Sequence, residues 1–107
     1  MVVSVIKSGN GWLIKCSDSM NRGGGPVRVR GAGIMIYPKD VGELITAIDK
    51  GASGKSYTFT RSDGTIIRSY PSETKPGSIV IERSGGNWIR LDSKDAVDLR
   101  LALTRLS

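Results

Sequence analysis

Few residues in this chain could carry out covalent chemistry. Histidine is absent and Cys16 is the single cysteine, which removes the commonest general base, every histidine-dependent triad and a thiolate metal cluster. Asp92, Asp95 and Asp98 crowd one helix start. Acids are favoured there by the helix dipole and by capping, so they read as structural rather than as the carboxylates of a metal-dependent nuclease. Gly54-Lys55-Ser56 resembles the end of a phosphate-binding loop, but Asp49 stands where the first glycine belongs and the stretch follows a helix. We read it as a linker. The expectation is a binding protein and not an enzyme, with no cofactor and no metal.

What remains is a set of cations and aromatics on alternating positions, whose chemistry is the non-covalent capture of a polyanion that carries flat rings. Sixteen Lys and Arg against ten Asp and Glu give +6 and a pI near 9.8, a balance that favours nucleic acid or an anionic membrane surface. Residues 1–53 hold seven basic and four acidic side chains and residues 54–107 hold nine and six, so each half is +3. In Val27-Arg28-Val29-Arg30, inward valines send Arg28 and Arg30 outward together, and inward Ile89 and Leu91 do the same for Trp88 and Arg90. With Trp12, Ile14 and Cys16 facing a helix, Lys15 lies on the open face, and the aligned strand of the second half adds Arg68 and Tyr70. Lys7 and Arg61 complete the stripe, and Tyr57 joins Tyr70 and Trp88 as a ring on which a base can stack, at about 1–3 kcal/mol per base. Trp12 is assigned to packing, Tyr37 to a staple on the following turn, and Arg22-Gly23-Gly24-Gly25 at most to a secondary phosphate contact.

The elements that position these side chains show as an internal repeat. SVIKSGNGWLIKC and TFTRSDGTIIRS each read as strand, glycine turn, strand, with Asn10-Gly11 and Asp63-Gly64 as type I′ turns lying 53 positions apart. SDSMNRGGGP and PSETKPGS are loops, followed by the short strands VRVR and IVIE. GIMIYPKDVGELITAIDKG then matches NWIRLDSKDAVDLRLALTRL as a strand running into an amphipathic helix, with Lys39-Asp40 aligned on Lys94-Asp95. Val41, Leu44, Ile45 and Ile48 form one apolar stripe and Ala96, Leu99 and Leu103 the other, each expected to be buried on its own sheet. Pro38 suits the first helical position, Asp92 caps the second helix, and Gly51 takes the left-handed position after the first. The fold expected is α+β: a single domain of two ββββα repeats, about 1–53 and about 54–107, with one helix packed per repeat.

GIMIYPKDVGELITAI resembles the strand-to-helix segment of the positive cofactor four family of transcriptional coactivators, with Gly33, Ile34, Ile36, Pro38, Leu44 and Ile48 on that family's pattern and Lys39 and Val41 departing from it. Val3-Ser4-Val5 and Trp12-Leu13-Ile14-Lys15-Cys16 are similar to its first hairpin. The resemblance implies binding of single-stranded DNA on the sheet face opposite the helix. It also implies, by likeness to the related Whirly proteins, a pseudo-dimer of curved antiparallel sheets within one chain.

The expected function is therefore single-stranded DNA binding in replication, recombination or transcription. RNA binding is a rival on the same surface. A protein-interaction or assembly module, using Leu13 and Ile66 as exposed apolar contacts, is a rival of another class. A lone cysteine and a start without a signal-peptide pattern suit the cytoplasm, including a nucleoid or an intracellular virus. No apolar run reaches the roughly 18 residues of a membrane span, so no membrane partner is expected. The oligomeric state stays open between a monomeric pseudo-dimer and a homo-oligomer.

Overall fold

The computed structural model describes residues 3–20, 33–84 and 86–106. In chain order its elements are β1 (Val3–Ser8), β2 (Gly11–Cys16), β3 (Ser19–Met20), β4 (Gly33–Ile36), a 3-10 turn (Pro38–Asp40), α1 (Val41–Ala52), β5 (Tyr57–Thr60), β6 (Ile66–Pro71), β7 (Ile79–Arg83), β8 (Trp88–Leu91) and α2 (Ser93–Leu106). The architecture is α+β. One antiparallel sheet has the order β1-β2-β4, and the other has the order β3-β8-β7-β6-β5, to which β3 adds only two residues. Among the described residues no helix is long and apolar enough to cross a membrane.

Period-two burial along the strands builds the core. Ile14 and Cys16, Ile34 and Ile36, Ile79 and Ile81, and Ile89 and Leu91 all turn inward and join one cluster with residues of both halves. The helix stripes hold: Val41, Leu44 and Ile48 are buried with Ile45 half-buried, as are Ala96, Leu99 and Leu103. Asp92 caps α2, its Oδ1 accepting the Asp95 N–H at 2.8 Å. Pro38 opens the 3-10 turn that leads into α1. Behind it the buried Asp40 accepts the Ser62 N–H at 2.9 Å, the Ser62 hydroxyl at 2.8 Å and the Tyr37 N–H at 3.2 Å. That carboxylate ties the strand-to-helix junction to the loop after β5.

Local turn chemistry differs from expectation at three glycines. The first hairpin turns on Gly9-Asn10, since Ser8 pairs with Gly11, and only Gly9 is left-handed, with φ of 57°; a type I′ turn needs both residues so. Gly11 instead lies in β2, where an added Cβ would stand 2.5 Å from the Ile36 carbonyl oxygen. The second hairpin has a three-residue loop, closed by Arg61 N–H to Thr65 O at 2.7 Å and Gly64 N–H to Arg61 O at 2.8 Å, with Gly64 alone at positive φ. After α1 the left-handed residue is Gly54, at φ of 82°, whereas Gly51 stays inside the helix, where a Cβ would meet Ile79 Cγ2 at 2.6 Å.

The helices do not sit as expected. α1 lies against β5, β6 and β7 of the second half, while α2 covers β1 of the first half as well as β8, and the two helices touch. A buried hydroxyl fixes the first contact: Ser69 of β6 donates to the Ala47 carbonyl of α1 at 2.9 Å. Part of the expected loop SDSMNRGGGP also departs, since Ser19–Met20 form a short strand. β3 joins the opposite sheet by pairing with β8, and the expected strand over 27–30 lies outside the described residues. Among the described residues the outer edge of β4 is met by side chains: Arg61 Nη1 donates to Met35 O at 2.9 Å and Asn87 Nδ2 to Gly33 O at 3.0 Å.

Candidate nucleic-acid interface

The helix-distal face of the five-stranded sheet carries two cross-strand rows. Arg68 of β6 lies opposite Glu82 of β7, itself opposite Trp88 of β8; Tyr70 lies opposite Val80, itself opposite Arg90. Neighbours in a row stand on the same face and within reach of one another. Arg68 lies over the Tyr70 ring at 5.0 Å and Arg90 over the Trp88 ring at 5.3 Å, both within cation–π range. Between the rings a depression of about 240 Å³ is walled by Tyr70, Trp88 and Arg90 and rimmed by Ser72, Glu73 and Thr74. Its floor is Val80, which is only 8% exposed although it points away from the core cluster. The Trp88 Nε1 is buried without an acceptor, so the indole offers this face its ring and not its donor.

Both arginines are charge-compensated. Arg90 grips Asp18 with Nε at 2.6 Å and Nη2 at 3.0 Å and donates through Nη1 to Thr74 at 3.0 Å. Those bonds hold the Asp18 carboxyl below the usual range, against the opposing effect of burial. Lys75 adds a contact to Asp18 at 3.3 Å. Arg68 is ion-paired to Glu82, whose carboxylate raises the guanidinium further above its ordinary value. The guanidiniums are thereby held in position, and their charge is already met.

Arg68, Tyr70, Trp88 and Arg90 thus come together as the alternation implied, while the other expected contacts separate from them. Lys15 stands on the outer face of the other sheet, in register with Ser4 and Gly33. Lys7 pairs with Trp12 in register and its Nζ lies 4.8 Å from that ring. It therefore shares the helix-side face with Trp12 and not the open face with Lys15. Any two-residue turn pairs odd positions of β1 with even positions of β2, which forces this result. Tyr57 is likewise on the helix side, because Phe59 must be buried and Tyr57 lies two residues before it. Its ring is 6.3 Å from Phe59 and its hydroxyl donates to Glu43 at 3.0 Å. Arg28 and Arg30 lie outside the described residues.

Arg61 is the largest correction. It is 6% exposed and spends its fork on Met35 O, on Asp63 at 2.9 and 2.7 Å and on Thr65 at 3.1 Å. Its hydrogen bonds hold the Asp63 carboxyl far below the usual range. A phosphate has no access to a guanidinium used in this way.

Sequence reasoning missed Glu82, Val80 and the Ser72–Thr74 rim, although the alternation of IVIE could have placed Val80 and Glu82 beside Tyr70 and Arg68. Asp18 stands 72 positions from Arg90 and carries no local signal. No family model, no curated protein and no solved structure matches the chain.

Proposed function

We propose that this protein binds single-stranded nucleic acid, DNA before RNA, on the open face of the five-stranded sheet, and acts by binding alone, inside the cell, in replication, recombination or transcription. One observation carries the reading: two aromatic rings, each backed by an arginine, flank an apolar floor. Rings with cations beside them hold single strands without strong sequence preference. The likeness of the first half to positive cofactor four, and of the repeated pattern to Whirly proteins, supports the same reading. On it the two halves are copies of one ββββα unit whose helices have exchanged sheets.

The test is fluorescence anisotropy with a mixed-sequence single-stranded DNA oligomer and matched RNA and duplex competitors. Tyr70→Ala and Trp88→Ala are each expected to weaken binding about 5- to 150-fold, the equivalent of one lost stack, with the circular dichroism spectrum unchanged. Wild-type affinity in both variants would refute the site, and preference for RNA would reverse the order of ligands.

A second reading has its own observation. Val97 and Leu101 of α2 are 58% and 53% exposed and one helical turn apart, an apolar pair that suits an assembly contact, and Ile66, 47% exposed, stands apart from them on the face of β6 that carries Arg68. Leu13, also expected to be exposed, is half-buried. A protein that ignores every oligonucleotide while sedimenting as an oligomer would favour this reading.

A further inference from the structure

Tyr70 and Glu73 stand between two depressions. The first is the slot floored by Val80, and the second, of about 540 Å³, is lined by Ser56, Arg68, Tyr70, Pro71 and Glu73. Among the residues lining either depression, only these two belong to both. The carboxylates around the sheet face differ in state. Asp18 and Glu82 are each held by an arginine, whereas Glu73 is exposed and has neither a hydrogen bond nor an ion pair among the described residues. A carboxylate that no cation of the described residues holds, beside a stacking ring, repels a phosphate and accepts only N–H or O–H donors.

Resting on the binding reading above, we infer that Glu73 makes the Tyr70 site selective for bases that present an exocyclic amino group, and against thymine and uracil. In a single strand the Watson–Crick edge is open to side chains. Cytosine offers its N4 amine there, and carboxylates accept from that group; thymine places the O4 acceptor at the same ring position, and its one donor on that edge, N3–H, lies between two carbonyl oxygens that repel a carboxylate. The two pyrimidines have the same ring size, so stacking on Tyr70 and Trp88 is similar and the difference isolates the carboxylate. The neighbouring hydroxyls of Ser72 and Thr74 serve donors and acceptors alike and do not discriminate.

The experiment compares (dC)12 and (dT)12 by anisotropy at pH 7.5 on wild type, Glu73→Ala, Glu73→Gln and Tyr70→Ala. Wild type is expected to favour (dC)12 by about fivefold or more, the lower end of one discriminating base contact. Glu73→Ala should abolish the preference. Glu73→Gln, which adds a donor to its acceptor, should bring (dT)12 level with (dC)12. Equal wild-type affinities, or a preference that survives in Glu73→Ala, would overturn the inference while the binding site stands, provided Tyr70→Ala still weakens both oligomers. Binding of neither oligomer by wild type would overturn the inference together with the site.

Discussion

Replacing Arg61 with alanine separates a structural arginine from a nucleic-acid contact. The variant leaves the Met35 carbonyl on the β4 edge without its donor at 2.9 Å, and a buried acceptor so orphaned costs about 1–3 kcal/mol. Asp63 is 39% exposed, so water recovers its carboxylate and that ion pair adds little. Loss of the guanidinium from above the Tyr37 ring, at 5.8 Å, adds roughly 0.5–1 kcal/mol. The expected destabilisation is about 2–4 kcal/mol, which for a chain of this size lowers Tm by roughly 8–16 °C. The assay is urea unfolding followed by tryptophan fluorescence, with Lys94→Ala as control. Lys94 has 83% of its side chain exposed and its partner Asp98 49%, so its removal should change stability by less than about 1 kcal/mol. Arg61→Lys keeps the charge but loses the fork, and should recover only part of the loss. An Arg61→Ala protein of wild-type stability that no longer bound DNA would refute the structural role and restore Arg61 to the interface.

Two further outcomes follow from charge placement. Because Arg68 and Arg90 are already paired with Glu82 and Asp18, binding by the sheet face should show a shallow salt dependence. The slope of log affinity against log salt should stay below about 1.5, against about 0.7 per phosphate neutralised, and a steeper slope would place the main contacts on other cations. Asp95 is 2% exposed and its Oδ2 has no partner; burial first, then the nearby Asp92, raise its carboxyl above the usual range. The folded state therefore binds this proton more tightly than the unfolded chain, so stability falls as pH rises from the ordinary carboxylate value through the raised one. Asp95→Asn should accordingly raise Tm at pH 7 and lose that advantage near pH 4; an unchanged or lower Tm at pH 7 would show the charged form to be well accommodated.

The parts of this molecule that depend on local periodicity were legible in its residues. The helix stripes from Val41 to Ile48 and from Ala96 to Leu103 and the outward pair Trp88 and Arg90 follow from 3.6- or two-residue repeats, and the Asp92 cap follows from the residue type that stands before the helix. Contacts across long separations were not. Arg61 sits where the β5 alternation gives way to a loop, so phase could not show that its fork would close the β4 edge. Tyr57 and Lys7 were placed by type, as a ring and a cation, although Phe59 and the parity of the first hairpin fixed their faces. The turns differ from expectation because Asn-Gly and Asp-Gly pairs signal a turn region more reliably than they fix its register. The salt bridges of Arg90 and Arg68 turn a face expected to be cationic into one that is nearly neutral, and only the register of β7 and the position of Asp18 reveal it.

The packing of α1 on strands of the second half and of α2 on β1 also has a consequence for synthesis. α1 emerges before β5, β6 and β7, the strands that bury Val41, Leu44 and Ile48, so the nascent first half must expose an apolar stripe until about thirty more residues have followed. β1 in turn waits for α2 to cover it. Neither half has a complete core without the other, and long-range closure of this kind slows folding and makes it all-or-none. If the two halves are copies of one unit, as proposed above, a single unit would have met the same requirement by lending its helix to a second copy, and joining both in one chain would replace a concentration-dependent encounter with an intramolecular one.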